Sequence, residues 1–546
     1  MTRIRWGVAA ALLATGLLLP ADSLAASLAE GRPALLGELR LGLHILRALL
    51  ALNGVALLAI RHPLPPGAAA GEPEPGSGRA ERLALGLSVA LALALRLPGL
   101  GHGLWFDEIQ TLVDYVRLPL DRIVTTYDSQ NQHLLYSVAA GAVTALAGES
   151  AWALRLPAVL FGVASLWALH RFARLVTDRR EAILAVAFLA VSYHHVWFSQ
   201  NARGYTGLLL WTLLASAAFL RLLTGRYRSG WRTALAYGAA MALGIYTHVT
   251  AAFVALAHAL VWLGLAIRGR GPDPVPGVAG LALAANLTLL LYAPVLPQML
   301  DTLLAPSNDG IRTAWQSPAW FVAEATRGLV RGLPGGWLAL AAGLVVVGLG
   351  GASYWRRNAP ATALMLLPPL LTAAAVVGLG HNLWPRFFFF AAGFAVLIAL
   401  RGGFALAQAV LPARWPGPAL ATGAAAVVIV TSAATVPRAW HPKQDFEGAE
   451  EWLARHRAPG DVVVTTDLTS FPYQRYRGRD WPAVRTAGQL EEIERRHRRT
   501  WVLYTFPTRL AAVQPDLWAR LQRDYRRAAE FPGTVGGGAV VVMVRQ

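Results

Sequence analysis

Asp107 and Glu108 stand side by side in Gly103-Leu104-Trp105-Phe106-Asp107-Glu108-Ile109, directly after an apolar run over 81–100. A carboxylate there can accept a proton from a hydroxyl nucleophile. Carboxylates so close to lipid are costly to desolvate unless they have partners. On a helix, adjacent side chains diverge by about 100°, so one can face a cavity while its neighbour backs it. Asp107 and Glu108 are therefore the candidate catalytic pair, and the plainer alternative is a solvated loop with Asp107 as helix N-cap. Further polar groups recur at the ends of apolar runs. They are Asp128, Gln130, Asn131 and His133; Gln200, Asn201, Arg203 and Tyr205; Tyr246, Thr247 and His248; and His381, Trp384, Pro385 and Arg386. Singly, each reads as a snorkelling Arg, a hydrogen-bonded His or an interfacial aromatic. Gathered on one membrane face, the carboxylates and cations form an electrostatic site for an anionic substrate.

Such a site needs elements that carry it through a bilayer. Of 546 residues, 55% are hydrophobic and 15% charged, with a mean hydropathy of +0.43. Soluble domains carry about 25% charged residues, and many apolar blocks approach the ~20 residues of a membrane-crossing helix. A soluble enzyme is excluded, as is a disordered or collagen-like chain. The formal charge of +18 does not imply a nucleic-acid partner, because positive residues in short cytoplasmic loops account for it. No cysteine is present, which removes disulfides, thiolate nucleophiles and Cys-metal sites. Lys443 is the only lysine.

The sequence predicts thirteen spans. The first, within 1–26, reads as a cleavable leader or an anchor, and the second lies near 34–60. The others lie near 81–100, 152–170, 182–199, 204–222, 231–248, 249–267, 278–297, 335–352, 360–380, 387–411 and 417–436. This order puts Arg61, Arg79 and Arg82, the Arg171–Arg180 cluster, Arg221, Arg226, Arg228 and Arg232, Arg268 and Arg270, Arg356 and Arg357, and Arg401 and Arg414 on the cytoplasmic side. The 100–132 loop, with five acids against two Arg, falls outside. Segment 133–148 is apolar, yet letting it cross would invert every later loop, so it is expected at the outer surface or partly embedded.

Beyond Val436 the composition changes. Helical patterns around Phe446–Leu453, 488–499 and Leu517–Leu521 alternate with strand-like Asp461–Val464, Trp501–Thr505 and 539–544. A small α/β domain with a largely parallel sheet is expected, outside by parity. Its Gly536-Gly537-Gly538 run is not a dinucleotide fingerprint. The division is 1–80 as an N-terminal hydrophobic extension and linker, 81–436 as the membrane domain, and 437–546 as the outer domain.

The Trp-x-Asp-Glu run resembles the acidic motif in the first outer loop of GT-C glycosyltransferases, nearest the branch of protein O-mannosyltransferases and aminoarabinose transferases. Gln132-His133-Leu134-Leu135-Tyr136 is similar to that branch's His-Pro-Pro-Leu-Tyr segment without its prolines. Ala153–Pro157, Phe161-Gly162, Ser199–Tyr205, Tyr246–His248 and Pro385–Phe387 follow in family order over roughly 81–400. Lys443–Phe446 with Pro459–Asp461 resembles tails on some bacterial members.

The resemblance implies a GT-C-like polytopic all-α membrane protein of the bacterial cytoplasmic (inner) membrane. Its activity would be inverting sugar transfer from a polyprenyl-phosphate donor to a hydroxyl of an envelope acceptor at the outer face. Asp107 would be the base, and His133, Arg203, Tyr205, His248 and Arg386 would hold the donor phosphate. A departing phosphate needs little protonation, so the two-carboxylate arrangement of glycosidases is unnecessary. Some relatives use a divalent metal ion, for which Glu108 or His133 are candidate ligands. A lipid or glycan transporter is the competing class, but it would place its site near the midplane and show repeats.

Overall fold

The structure, a computed structural model, describes residues 2–59, 76, 78–224, 230–269, 274–305, 315, 317–333, 335–412 and 414–545. Arg61, Arg226, Arg228, Arg270 and most of the linker after residue 59 lie outside the described residues. The Ala-, Leu- and Val-rich runs fold as helices because a helix pairs its backbone groups within one segment, which lipid demands. Helices occupy all thirteen expected segments. Among the described residues, however, length and apolarity alone qualify eight as membrane spans, or ten if each of two bent pairs crosses once. The helix Arg79–Arg96 carries Arg79, Glu81, Arg82 and Arg96, and Trp231–Thr247 and Ala251–Ile267 have 17 residues each.

The first helix, α1 (Thr2–Leu18), bends through 69° into α2 (Ala21–Leu28) and packs back on α3 (Leu36–Ala59). The amides of Asn53 and Asn286 pair reciprocally at 3.0 and 2.8 Å, fastening α3 to a later span. Segment 133–148 forms a helix over Leu134–Ala147. At ~1.5 Å per residue it is ~21 Å long, short of the ~30 Å hydrocarbon layer.

One break serves the site. The helices Arg179–Ala190 and Tyr193–Ser199 meet at 58°. Arg96, fully buried, donates to Ala190 O at 3.2 Å, to Ala92 O at 2.6 Å and to Ser199 Oγ at 3.0 Å, and its guanidinium also meets His195 Nδ1. The break therefore does not strand polar backbone in lipid, and it delivers residues 200–204 to the end of the bundle.

The C-terminal domain holds one five-stranded sheet in the order β2-β1-β3-β5-β4, with β1 Val462–Thr466, β2 Ala483–Val484, β3 Thr500–Tyr504, β4 Arg526–Phe531 and β5 Val540–Arg545. The expected largely parallel sheet is corrected here: β1 pairs in parallel with β2 and β3, but β5 is antiparallel to both β3 and β4. The short 532–539 connection explains this, because strands joined so closely must form a hairpin. The glycine run at 536–538 lies in that connection.

Candidate active site

The acidic run forms a short helix, Phe106–Gln110, that passes into a wide π turn over Thr111–Val116, where the Arg117 N–H reaches Leu112 O at 3.0 Å. Such widened turns re-aim side chains and recur at functional sites. The two carboxylates diverge as expected, and their surroundings differ completely.

Glu108 is fully buried and saturated. Its Oε1 accepts from Arg155 Nε at 2.8 Å and the Ala202 N–H at 2.7 Å, and its Oε2 accepts from Arg155 Nη2 at 2.6 Å and the Trp105 N–H at 3.3 Å. Burial pushes its carboxyl up. The Arg155 guanidinium, the Lys443 ammonium and the Ala202 N–H outweigh that and hold it below the usual carboxylate range. With four donors in place, Glu108 has no lone pair aimed at a substrate.

Asp107 points the other way. Its Oδ2 lies 3.2 Å from Arg386 Nη1, with the Asp107 side chain 14% and the Arg386 side chain 28% exposed. That oxygen is buried and accepts no hydrogen bond among the described residues. Its backbone is fixed instead, since Asp107 O accepts from Thr111 Oγ1 at 2.8 Å and Asn131 Nδ2 at 3.3 Å.

Beside it lies a buried cationic cluster. Arg203 donates to Thr111 Oγ1 at 2.8 Å and to Asn131 O at 2.5 Å, and among the described residues it has no carboxylate partner and its Nε has no hydrogen-bond partner. The Gly204 N–H donates to His133 Nδ1 at 2.9 Å, so the neutral ring carries its proton on Nε2. That nitrogen is 3.0 Å from Arg203 Nη2. Two donors thus face each other, and neither can satisfy the other. Burial, then the charges of Arg203, His248 and Arg386, hold His133 well below the ordinary histidine range and keep it neutral. The His133 ring meets His248 edge-on at 4.5 Å and Tyr205 at 5.3 Å. Gly204 permits this approach, because a Cβ there would stand 3.0 Å from His133 Nδ1 and 2.8 Å from Thr247 Cγ2.

Asp107, His133, Arg203, Tyr205, His248 and Arg386 therefore come together at one end of the bundle, on the side that carries the C-terminal domain. Glu108 joins the scaffold behind them. His381 links the 128–133 loop to the chain near Leu303, taking a bond from Gln130 Nε2 at 3.2 Å and donating to Leu303 O at 2.7 Å. Asp128 accepts from Tyr115 OH at 2.8 Å. Asn131, named among the polar groups, also joins the site; Thr111 is an addition that spacing did not disclose, and Arg155 and Gln444, read before only as parts of family-like stretches, acquire a place here. Arg155 was discoverable, since an ionisable residue inside an apolar run demands a partner. A divalent metal does not fit the donor set. Glu108 is occupied by Arg155, Asp107 faces Arg386, and no three His, Asp or Glu converge among the described residues.

The apo oligosaccharyltransferase of Archaeoglobus fulgidus shares this architecture, with a TM-score of 0.51 at 11% identity over 84% of this chain and 74% of that one. Residues 134–297 match the family model described as dolichyl-phosphate-mannose-protein mannosyltransferase. Part of the chain therefore resembles a mannosyltransferase family, and its fold is shared with a solved oligosaccharyltransferase. ArnT of Cupriavidus metallidurans bound to undecaprenyl phosphate is also similar, at 15% identity and a TM-score of 0.47, over 84% of this chain and 97% of that one. No curated protein matches this chain by sequence.

Proposed function

We propose that the protein transfers a sugar from a polyprenyl-phosphate donor to a hydroxyl acceptor, with Asp107 as general base and inversion at the anomeric carbon. The observation that carries this reading is the pairing of one unsaturated carboxylate with Arg203, Arg386 and His133, a cluster short of negative charge. A phosphate oxygen between Arg203 Nη2 and His133 Nε2 would accept from both and resolve their donor–donor confrontation. The dolichyl-phosphate-mannose description of the matching family supports a donor of this class. The acceptor oxygen attacks the anomeric carbon, its proton passes to Asp107, and the bond from that carbon to the phosphate oxygen breaks. The electron pair leaves with the polyprenyl phosphate, whose charge the arginines stabilise. Arg386 serves both partners: without donor it neutralises Asp107, and the arriving phosphate draws it away and frees the base.

In this reading the site and the C-terminal domain face the outside of the cytoplasmic membrane, where the acceptor is an envelope molecule. Replacing Asp107 by Asn keeps its shape and removes its basicity. Single-turnover transfer at saturating donor and acceptor should slow by about 10²–10⁴-fold, the usual worth of a general base, with donor affinity retained. A near-wild-type rate would remove Asp107 from the chemistry.

A further inference from the structure

Where the C-terminal domain begins, the segment Pro442–Glu447 is pressed between the membrane helices and the hairpin loop of the sheet. The Thr534 N–H donates to Pro442 O at 3.0 Å, and the Val535 N–H donates to Lys443 O at 3.2 Å. Gly533 must be glycine here, because a Cβ would stand 2.1 Å from Lys443 O. From below, Trp197 Nε1 donates to Thr534 Oγ1 at 2.8 Å. Neither Lys443 nor Gln444 takes part in the chemistry above; Gln444 bonds the acidic turn, and Lys443 bonds Gln200, two residues before the Ala202 N–H that holds Glu108.

Gln444 is 1% exposed and bridges two domains. Its Oε1 accepts from the Phe106 N–H at 3.0 Å, and its Nε2 donates to Thr505 Oγ1 at the end of β3, also at 3.0 Å. The first N–H groups of a helix have no partner within it. That of Phe106, next to Asp107, is capped from 338 residues away. Lys443 is buried, donates from Nζ to Gln200 O at 2.5 Å and lies 5.1 Å from the Trp197 ring centre. The charged groups facing it are Glu108 and Arg155; burial lowers its ammonium to about 7, with Glu108 opposing and Arg155 adding to that shift. An apolar side chain would dock this interface at lower cost, so the amine is there for the Gln200 carbonyl it bonds and the Glu108 carboxylate it faces.

We propose that Lys443 and Gln444 are positioning residues that hold the Trp105–Glu108 turn, and with it Asp107, in the geometry for transfer. The C-terminal domain then completes the site from above, as a working part of the enzyme. The inference rests on Asp107 as base, and its test separates the two. In the full-length protein, Gln444→Leu and Lys443→Met should lower kcat between about ten- and a hundredfold, the scale of a small misplacement. KM for the donor should be unchanged. Hydrogen exchange at residues 105–108 should quicken in both variants, while that of β3 and β5 should stay as in the wild type. Lys443→Arg, which keeps the cation, should recover most of the rate.

If exchange at 105–108 and kcat are both unchanged in Gln444→Leu and Lys443→Met, the inference falls, whatever Asp107→Asn does. Loosening of β3 and β5 along with the turn would also overturn it, because the two residues would then merely hold the domain together. If exchange quickens as stated while Asp107→Asn stays active, the positioning contact stands and the assignment of the base fails.

Discussion

Glu108→Gln should damage the fold, whereas Asp107→Asn one position earlier should damage only the chemistry. Glu108 accepts four hydrogen bonds through two oxygens, with its side chain 0% and that of Arg155 3% exposed. Glutamine offers one acceptor oxygen, so its amide nitrogen would be turned toward donors such as Arg155 Nη2 and the Trp105 N–H. The lost charge matters more than the lost acceptor. Removing one member of a buried pair leaves the other uncompensated, which typically costs about 3–5 kcal/mol. Arg155 also donates to Leu100 O at 2.9 Å, His102 O at 2.8 Å and Gly103 O at 3.1 Å. Those carbonyls retain part of its stabilisation and place the loss at the low end, about 3 kcal/mol, or two decades in the folding equilibrium.

The assay is unfolding in detergent followed by tryptophan fluorescence, run as a double-mutant cycle with Arg155→Met. Each single variant should be strongly destabilised, and the double variant much less than their sum, with a coupling of about 2 kcal/mol or more. The sign with pH is fixed as well. The folded carboxyl titrates below its ordinary 4.5, so the stability from this pair is present above that pH and is lost as the pH falls through the lower folded value. If Glu108→Gln unfolds like the wild type yet transfers slowly, Glu108 acts in the reaction and the division of labour is wrong.

Arg203→Ala should weaken donor binding by about 1.5–3 kcal/mol, the worth of a charge-assisted contact, and Lys should rescue only partly for want of the planar fork; unchanged affinity by titration calorimetry would make Arg203 a helix anchor. His133 stays neutral well below its ordinary 6.5. Between the two values only the unfolded chain binds the proton, so stability should fall as the pH drops below about 6.5. His133→Gln should lessen that slope by about one proton, and an unaltered slope in melting midpoint against pH would refute it. Because the chain lacks cysteine, Gly488→Cys should react with an impermeant maleimide on intact spheroplasts and Arg180→Cys should not. The reverse pattern would overturn the outward-facing site.

Much of this architecture is legible in the sequence because lipid enforces it. Long apolar runs and the side on which arginine gathers are one-dimensional signals, and together they bring 100–133, 200–205, 246–250 and 381–386 to one end. The span count is less legible, since Arg79–Arg96 is charged at both ends and two further helices are a turn short. The role of Glu108 cannot be read from its neighbours, because its partners, Arg155 and Ala202, are 47 and 94 residues away. The edge strands escape a reading of the sequence for a related reason. β2 has two residues, and β4, Arg526–Phe531, carries three charges in six positions, which protects an exposed edge but hides the alternation that marks a strand.

Asp107 is held from three directions, and none is adjacent to it in sequence. The helix Ala151–Val176 reaches it through Arg155 and Glu108. The 200–204 segment reaches it through Trp105, whose Nε1 donates to Asn201 Oδ1 at 3.0 Å, and through Arg203 on Thr111. The C-terminal domain reaches it through Gln444 and the Phe106 N–H. Each contact fixes a neighbour of Asp107 and, among the described residues, leaves its carboxylate to Arg386. In the proposed reaction, a base that must release its cation when donor arrives cannot also be the group that braces the turn, because bracing saturates the oxygens. Two adjacent carboxylates on one helical turn separate these demands: the roughly 100° between them lets Glu108 take every structural bond while Asp107 stays undercoordinated. The pair is therefore one device, and exchanging the two side chains should abolish both its stability and its chemistry.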